Sequence, residues 1–165
     1  MKITIEQINA LARPAFVAKL GGIFEDSPWV ADRAWASRPF ASVDQLHAAM
    51  VTVVENAELA QRLALLRAHP DLGTRARVSP ASEAEQTGAG LDRLTPAEFD
   101  RLHRVNATYR DKFGFPFLLA VKGSTKADIL RAIESRLNAA PETELREALR
   151  QVYRIARFRL EEMIG

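Results

Sequence analysis

The residues of this sequence that could do chemistry are few, and the first of them is a histidine. In AHPDLG, residues 68–73, His69 stands directly before a proline and at the end of a helix-forming run, Ala60–Ala68, AQRLALLRA. Proline lacks the N–H that a helix needs and bars the residue before it from helical torsions. His69 therefore belongs at or just past a helix end, on a backbone with little freedom. Histidine titrates near neutral pH, so a ring held in this way suits a positioned acid or base. A helix stop carrying a chance histidine accounts for the hexapeptide more readily when it is taken alone.

A second stretch is SEAEQTGAGL, residues 82–91. Ser82 through Glu85 has the form of a capping box, which by itself accounts for both ends of it. The first turn of such a helix would also offer free N–H groups and a positive dipole end near Glu85 and Gln86, suited to a carboxylate or a urea-like ligand. Gly88 and Gly90 would then let a backbone approach closely.

A third group lies on apolar helical faces. Leu145, Leu149, Val152, Ala156, Arg159 and Met163 are spaced by 4, 3, 4, 3 and 4, one side of a helix with a single charged member. Arg157, in the same RIARFR cluster, points well away. A buried arginine needs an anion, either a protein carboxylate or an anionic ligand, unless it bends its stem and keeps its head in water. If the anion were a ligand, methionine at 159 would change stability little. Phe99, Leu102, Asn106, Tyr109 and Phe113 form a second stripe with one polar member. Buried amides usually bond backbone groups, so Asn106 is read as tying off a neighbouring loop. The segment FGFPFLLAVKG, 113–123, cannot be a regular helix through Gly114 and Pro116. It could line a small-molecule pocket with backbone N–H and C=O groups, or serve as a buried connector. His47 and His103, with no second ligand at i+3 or i+4, are read as surface or rim residues.

The elements that must position these groups are helices. Thr4-Ile-Glu-Gln7, Ser42-Val-Asp-Gln45 and Thr95-Pro-Ala-Glu98 have capping-box form, the last with proline at the first helical position. Ser124 or Thr125 caps a helix starting near Lys126, and a final helix runs from about Glu142 or Thr143 to Met163. Strand signals are nearly absent. The expected fold is all-α, one compact domain over residues 1–165 with about seven or eight helices and short loops. The loosest stretch is Gly73–Ala81, GTRARVSPA.

Composition narrows the function classes. The 165 residues carry 23 Lys and Arg against 21 Asp and Glu, interleaved along the chain, so no basic face for nucleic acid is expected. Without cysteine, disulfides, thiolate metal sites and cysteine nucleophiles are excluded. No apolar run reaches transmembrane length, and the N-terminus lacks the apolar core of a signal peptide, so a cytoplasmic location with no membrane partner is the expectation.

In order along the chain, FEDSPWV (24–30), RPF (38–40), HPDLG (69–73), SEAEQTGAGL (82–91), FGFPF (113–117) and ARFRL (156–160) closely resemble the 2-oxo-4-hydroxy-4-carboxy-5-ureidoimidazoline (OHCU) decarboxylase family of urate breakdown. The resemblance covers nearly the whole chain. It implies an all-helical enzyme with no metal or organic cofactor that forms (S)-allantoin and carbon dioxide from a small ureidoimidazoline substrate. A homodimer is compatible with it. The resemblance makes His69 the catalytic acid/base and Pro70 a wall of the pocket. It gives Ser82, Glu85 and Gln86 to the ureido and ring groups, with Glu85 holding either the histidine or a ligand N–H. Phe117, Leu118, Leu119, Ala120 and Val121 would supply backbone contacts. Arg159 would bind the substrate carboxylate or neutralise developing negative charge.

Decarboxylation leaves a carbanion. Here the neighbouring ring carbonyl and imine can accept it as an enolate-like system, so no cofactor sink is required. The protein must orient the carboxylate, stabilise spread charge and deliver a proton to one face. Two rival readings remain at the level of residue chemistry: a cofactor-free hydrolase of cyclic ureides with His69 activating water, and a non-enzymatic helical module docking through FGFPF.

Overall fold

Local capping chemistry sets where most helices begin. In the computed structural model, which describes residues 1–74 and 79–165, the hydroxyl of Thr4 accepts from the Gln7 N–H and the Gln7 side chain accepts from the Thr4 N–H. That capping box starts α1 (Ile5–Asn9). Thr95 with Glu98, and Thr125 with Asp128, start α7 (Pro96–Phe113) and α8 (Lys126–Arg136) in the same way. Ser42 caps α4 (Val43–Glu55), but Gln45 reaches past it to the Ala41 N–H. The other helices are α2 (Arg13–Leu20), α3 (Trp29–Ala34), α5 (Leu59–Arg67), α6 (Pro80–Gly88) and α9 (Pro141–Met163). Trp35–Ser37 and Leu91–Arg93 are single 3₁₀ turns. The all-α expectation holds. Nine α-helices are found among the described residues, seven of eight residues or more and two shorter. No strand occurs there, only a lone parallel bridge between Ile3 and Ile164.

The helix expected to begin at Ser82 begins earlier. Ser79 is its cap, accepting from the Ser82 N–H at 3.1 Å, and Pro80 takes the first helical position, where its missing N–H is harmless. Ser82 and Glu85 therefore form no capping box, and Glu85 and Gln86 lie in the second turn, away from the free N–H groups of the helix start. Of the stretch read as loosest, residues 75–78 lie outside the described residues, and 80–81 are helical.

The chain divides into two units. Met1–Ala68 with Tyr153–Gly165 forms one, in which α3 packs on α2 and α4. Its core holds Ile8, Phe16, Leu20, Val30, Leu46, Met50, Val54, Leu65 and Leu66, all at most 1% exposed. Each such aliphatic or aromatic side chain contributes about 1.5–3 kcal/mol on burial. The RPF motif is structural: the Arg38 guanidinium lies 3.9 Å from the Trp35 ring centroid and donates to the carbonyls of Asn9 and Trp35.

The second unit is His69–Val152, in which α7 packs on α8 and α6 on the Leu91–Arg93 turn. Gly114, at φ 79°, ends α7 in the left-handed region where glycine is strain-free. An aromatic cluster follows: the Phe113, Phe115 and Phe117 rings lie 4.6, 6.0 and 5.3 Å from that of Tyr109. Such pairs add about 0.5–1.5 kcal/mol each beyond their buried area. No helix among the described residues is long and apolar enough to cross a membrane.

Candidate active site

The histidine turn is built from its backbone outward. α5 ends at Arg67 with Ala68 as its cap, so His69 lies just past a helix end, as its proline neighbour requires. It is 6% exposed. Asp71 pairs with Arg110 at 2.7 Å, and its carbonyl accepts from the Thr74 N–H at 3.2 Å. The Leu72 carbonyl accepts from Asn106 Nδ2 at 2.9 Å, and the Gly73 N–H donates to Gln86 Oε1 at 2.8 Å. Gly73 has φ 74°, and a Cβ there would sit 2.6 Å from Leu102 Cδ2. Only glycine meets both demands without strain. The reading of Asn106 as the residue that ties off a loop is correct, and the loop is the one that carries His69.

On α6, Ser82 and Gln86 are buried at i and i+4, with Glu85 half-buried beside them. Gln86 has its carboxamide oxygen on Gly73, so its Nε2 donors are what it offers another molecule. Gly88 has open space around it, so no close approach explains it. Gly90 has φ 81° and serves the turn into Leu91–Arg93.

The segment 117–121 is irregular and held by side chains of its own unit. Ala120 donates its N–H to Gln151 Oε1 at 3.0 Å, and the Gln151 amide donates to Glu147 at 2.8 Å. The Leu118 carbonyl accepts from Arg136, whose guanidinium lies 4.4 Å from the Phe117 ring centroid. Val121 accepts from the Ser124 N–H at 2.9 Å. Phe117 is fully buried, and Leu119 is the half-buried member of the five. Three of the backbone groups expected to serve a ligand are thus engaged within the protein. Arg136 Nε donates to Glu144 at 2.7 Å, and the Tyr109 hydroxyl donates to the same carboxylate. Burial, and then Glu144, push the Tyr109 phenol well above its usual range.

Arg159 lies in the other unit and is 7% exposed, so it does not bend out to water. Its anion is a protein carboxylate: Nη2 donates to Glu25 at 2.8 Å, with Glu25 only 2% exposed. Nη1 donates to the carbonyls of Gly22 and Ile23 at 3.2 and 3.4 Å. Arg157 is paired outward with Asp44 and Glu161. His47 is half-buried with Nε2 donating to the Tyr153 carbonyl at 2.8 Å, and His103 is exposed against Phe99.

Sequence reasoning passed over Glu25, although it stands in the FEDSPWV motif between Phe24 and a Pro-Trp pair. It also missed Glu144 and Gln151. The available signal was a second stripe on α9, Glu144, Ala148, Gln151 and Ile155, spaced by 4, 3 and 4 and buried throughout.

The sequence pattern described as OHCU decarboxylase matches residues 9–161. The chain belongs to the OHCU decarboxylase family. Members of this family named 2-oxo-4-hydroxy-4-carboxy-5-ureidoimidazoline decarboxylase include a Haloferax volcanii protein, 48% identical over 161 residues that cover 98% of this chain and 96% of that one. Another, from Halalkalicoccus jeotgali, is 45% identical and covers 98% and 92%. The uric acid degradation bifunctional protein PucL of Bacillus subtilis is 44% identical over 98% of this chain, which spans 33% of its length. The crystal structure of (S)-allantoin synthase superposes with a TM-score of 0.79 at 36% identity, covering 98% of this chain and 54% of that one. This OHCU decarboxylase family member is therefore an enzyme of the carboxy-lyase class, and it spans about half the length of the synthase structure.

Proposed function

We propose that this enzyme decarboxylates 2-oxo-4-hydroxy-4-carboxy-5-ureidoimidazoline to (S)-allantoin and carbon dioxide, with His69 as the acid/base. The observation that carries the assignment of His69 is its place: a buried imidazole just past a helix end, on a turn fixed by two buried carboxamides. The bond between the ring carbon and the carboxylate breaks. Its electron pair enters the conjugated C=N system of the ring, and a proton from the protonated imidazole closes one face. General acid–base help of this kind contributes about a hundred- to ten-thousand-fold, roughly 3–5 kcal/mol.

Ser82, Glu85 and Gln86 take the ureido and ring groups, Gln86 through its Nε2 donors onto a ligand carbonyl. Pro70 is a wall beside His69. Along 117–121 the Ala120 N–H and the Leu118 and Val121 carbonyls are engaged within the protein, so the backbone contacts to substrate come from the other N–H and C=O groups of Phe117, Leu118, Leu119, Ala120 and Val121. Arg159, as one half of a neutral pair with Glu25, offers an anionic ligand directed donors rather than unbalanced charge.

The test generates the substrate in place from urate with urate oxidase and hydroxyisourate hydrolase, and follows optical rotation with and without this protein. Acceleration toward the S product is expected. Rotation that matches the uncatalysed control would overturn the reading. Hydrolytic ring opening without carbon dioxide release would favour the ureide hydrolase instead.

A further inference from the structure

Two carboxamides from different helices grip one peptide group. The Leu72 carbonyl and the Gly73 N–H belong to a single rigid plane, and a side chain holds each pole of it: Asn106 of α7 donates to the carbonyl, and Gln86 of α6 accepts from the N–H. Asn106 is 3% exposed and Gln86 9%. The plane cannot turn without breaking two buried hydrogen bonds. One helical turn beyond Asn106, Arg110 takes Asp71, so α7 holds the same turn twice.

As a stabilising device Asn106 is poor. It sits on an apolar stripe between Leu102 and Tyr109, where an aliphatic residue would pack without dehydrating an amide. Its Oδ1 is buried with no hydrogen-bond partner among the described residues. That orphaned acceptor offsets what the Nδ2 hydrogen bond to the Leu72 carbonyl contributes. What Asn106 secures is orientation. Only Pro70 and Asp71 separate the gripped peptide from His69. The proline ring fixes its own φ and restricts the residue before it, so little torsional slack remains between the two.

We propose that Asn106 is a positioning residue for the decarboxylation: by fixing the Leu72–Gly73 peptide it sets the plane and reach of the His69 imidazole. This rests on His69 being the acid/base. Misplacement of a reacting group by about 1 Å can cost about a hundredfold in rate.

The test compares Asn106→Leu, His69→Ala and the double variant on substrate generated in place. Asn106→Leu should keep its helicity, and its melting temperature should move little, because it removes the orphaned Oδ1 while leaving the Leu72 carbonyl without its donor. Its kcat should fall about ten- to hundredfold with KM within about threefold, and the S excess of the product should shrink. Added to His69→Ala, it should cost nothing further, because no imidazole is left to position. Asn106→Ala serves if leucine does not fit. Wild-type kcat in a folded Asn106 variant while His69→Ala is inactive overturns the positioning role and leaves the acid/base assignment standing. An active His69→Ala overturns both. An additive loss in the double variant also overturns it, since Asn106 would then act through something other than His69.

Discussion

Deleting the imidazole at position 69 separates chemistry from folding. His69 follows the end of α5 and lies outside the helix itself, so His69→Ala should keep the circular dichroism of the parent and lose at least about a hundredfold in turnover. A folded variant within about threefold of the parent would sink the acid/base role. Glu85 makes a similar case. The helix it lies in is capped by Ser79, so its carboxylate has no capping duty. Glu85→Gln keeps size and hydrogen-bonding capacity and removes charge, and it should lower turnover by about tenfold or more with an unchanged melting temperature. A lower melting temperature with normal turnover of the folded fraction would make Glu85 structural. At this scale the sequence placed His69 past a helix end and Asn106 against a loop, because proline geometry and an amide on an apolar stripe are local signals, but it left the histidine's role open. It was silent on Glu25, whose partner lies 134 residues away.

Elements were legible where their signals are local, and less so where packing decides. Capping at Thr4, Thr95 and Thr125 is chemistry between residues three apart, and it reads directly. α6 offers two serines three apart, and Pro80 at the first helical position settles the choice for Ser79. α9 was read as a single stripe, but it buries two adjacent ones, and the second holds Glu144 and Gln151. The first stripe was right in register and incomplete in its partner. With Glu25 as that partner, the expectation that methionine at 159 changes stability little no longer holds. Arg159→Met takes the guanidinium from a carboxylate that is 2% exposed, and it should destabilise the protein by about 3–5 kcal/mol. Joining it with Glu25→Gln should restore much of the loss, since the buried charge goes too. Arg157→Met, which breaks half-exposed surface pairs, should cost about 0–1 kcal/mol. Denaturant melts of the three variants decide the matter, and a silent Arg159→Met would show that the pair carries no stability.

The whole chain contains two tyrosines, one in each unit, and each donates its hydroxyl to a glutamate: Tyr109 to Glu144, and Tyr153 to Glu55 at 2.7 Å. Burial, and then the facing carboxylate, raise both phenols above their ordinary value of about 10. The sign of the linkage follows. The folded protein holds these protons more tightly than the unfolded chain does, so the stability they contribute is complete below about pH 10 and drains as pH rises beyond it. Phenolate absorbance should therefore stay low at a pH where free tyrosine is half ionised. It should then rise together with the loss of helical circular dichroism rather than before it. The unfolding free energy should fall with pH above about 10, and Tyr109→Phe and Tyr153→Phe should each make that fall shallower. α9 supplies residues to both units without a break, Val152 ending one and Tyr153 resuming the other, which favours a single step in which both phenols ionise together. Phenolate that appears near pH 10 in a fully helical protein would show that neither carboxylate holds its tyrosine. Two separated steps, assigned by the single variants, would show that the units unfold independently.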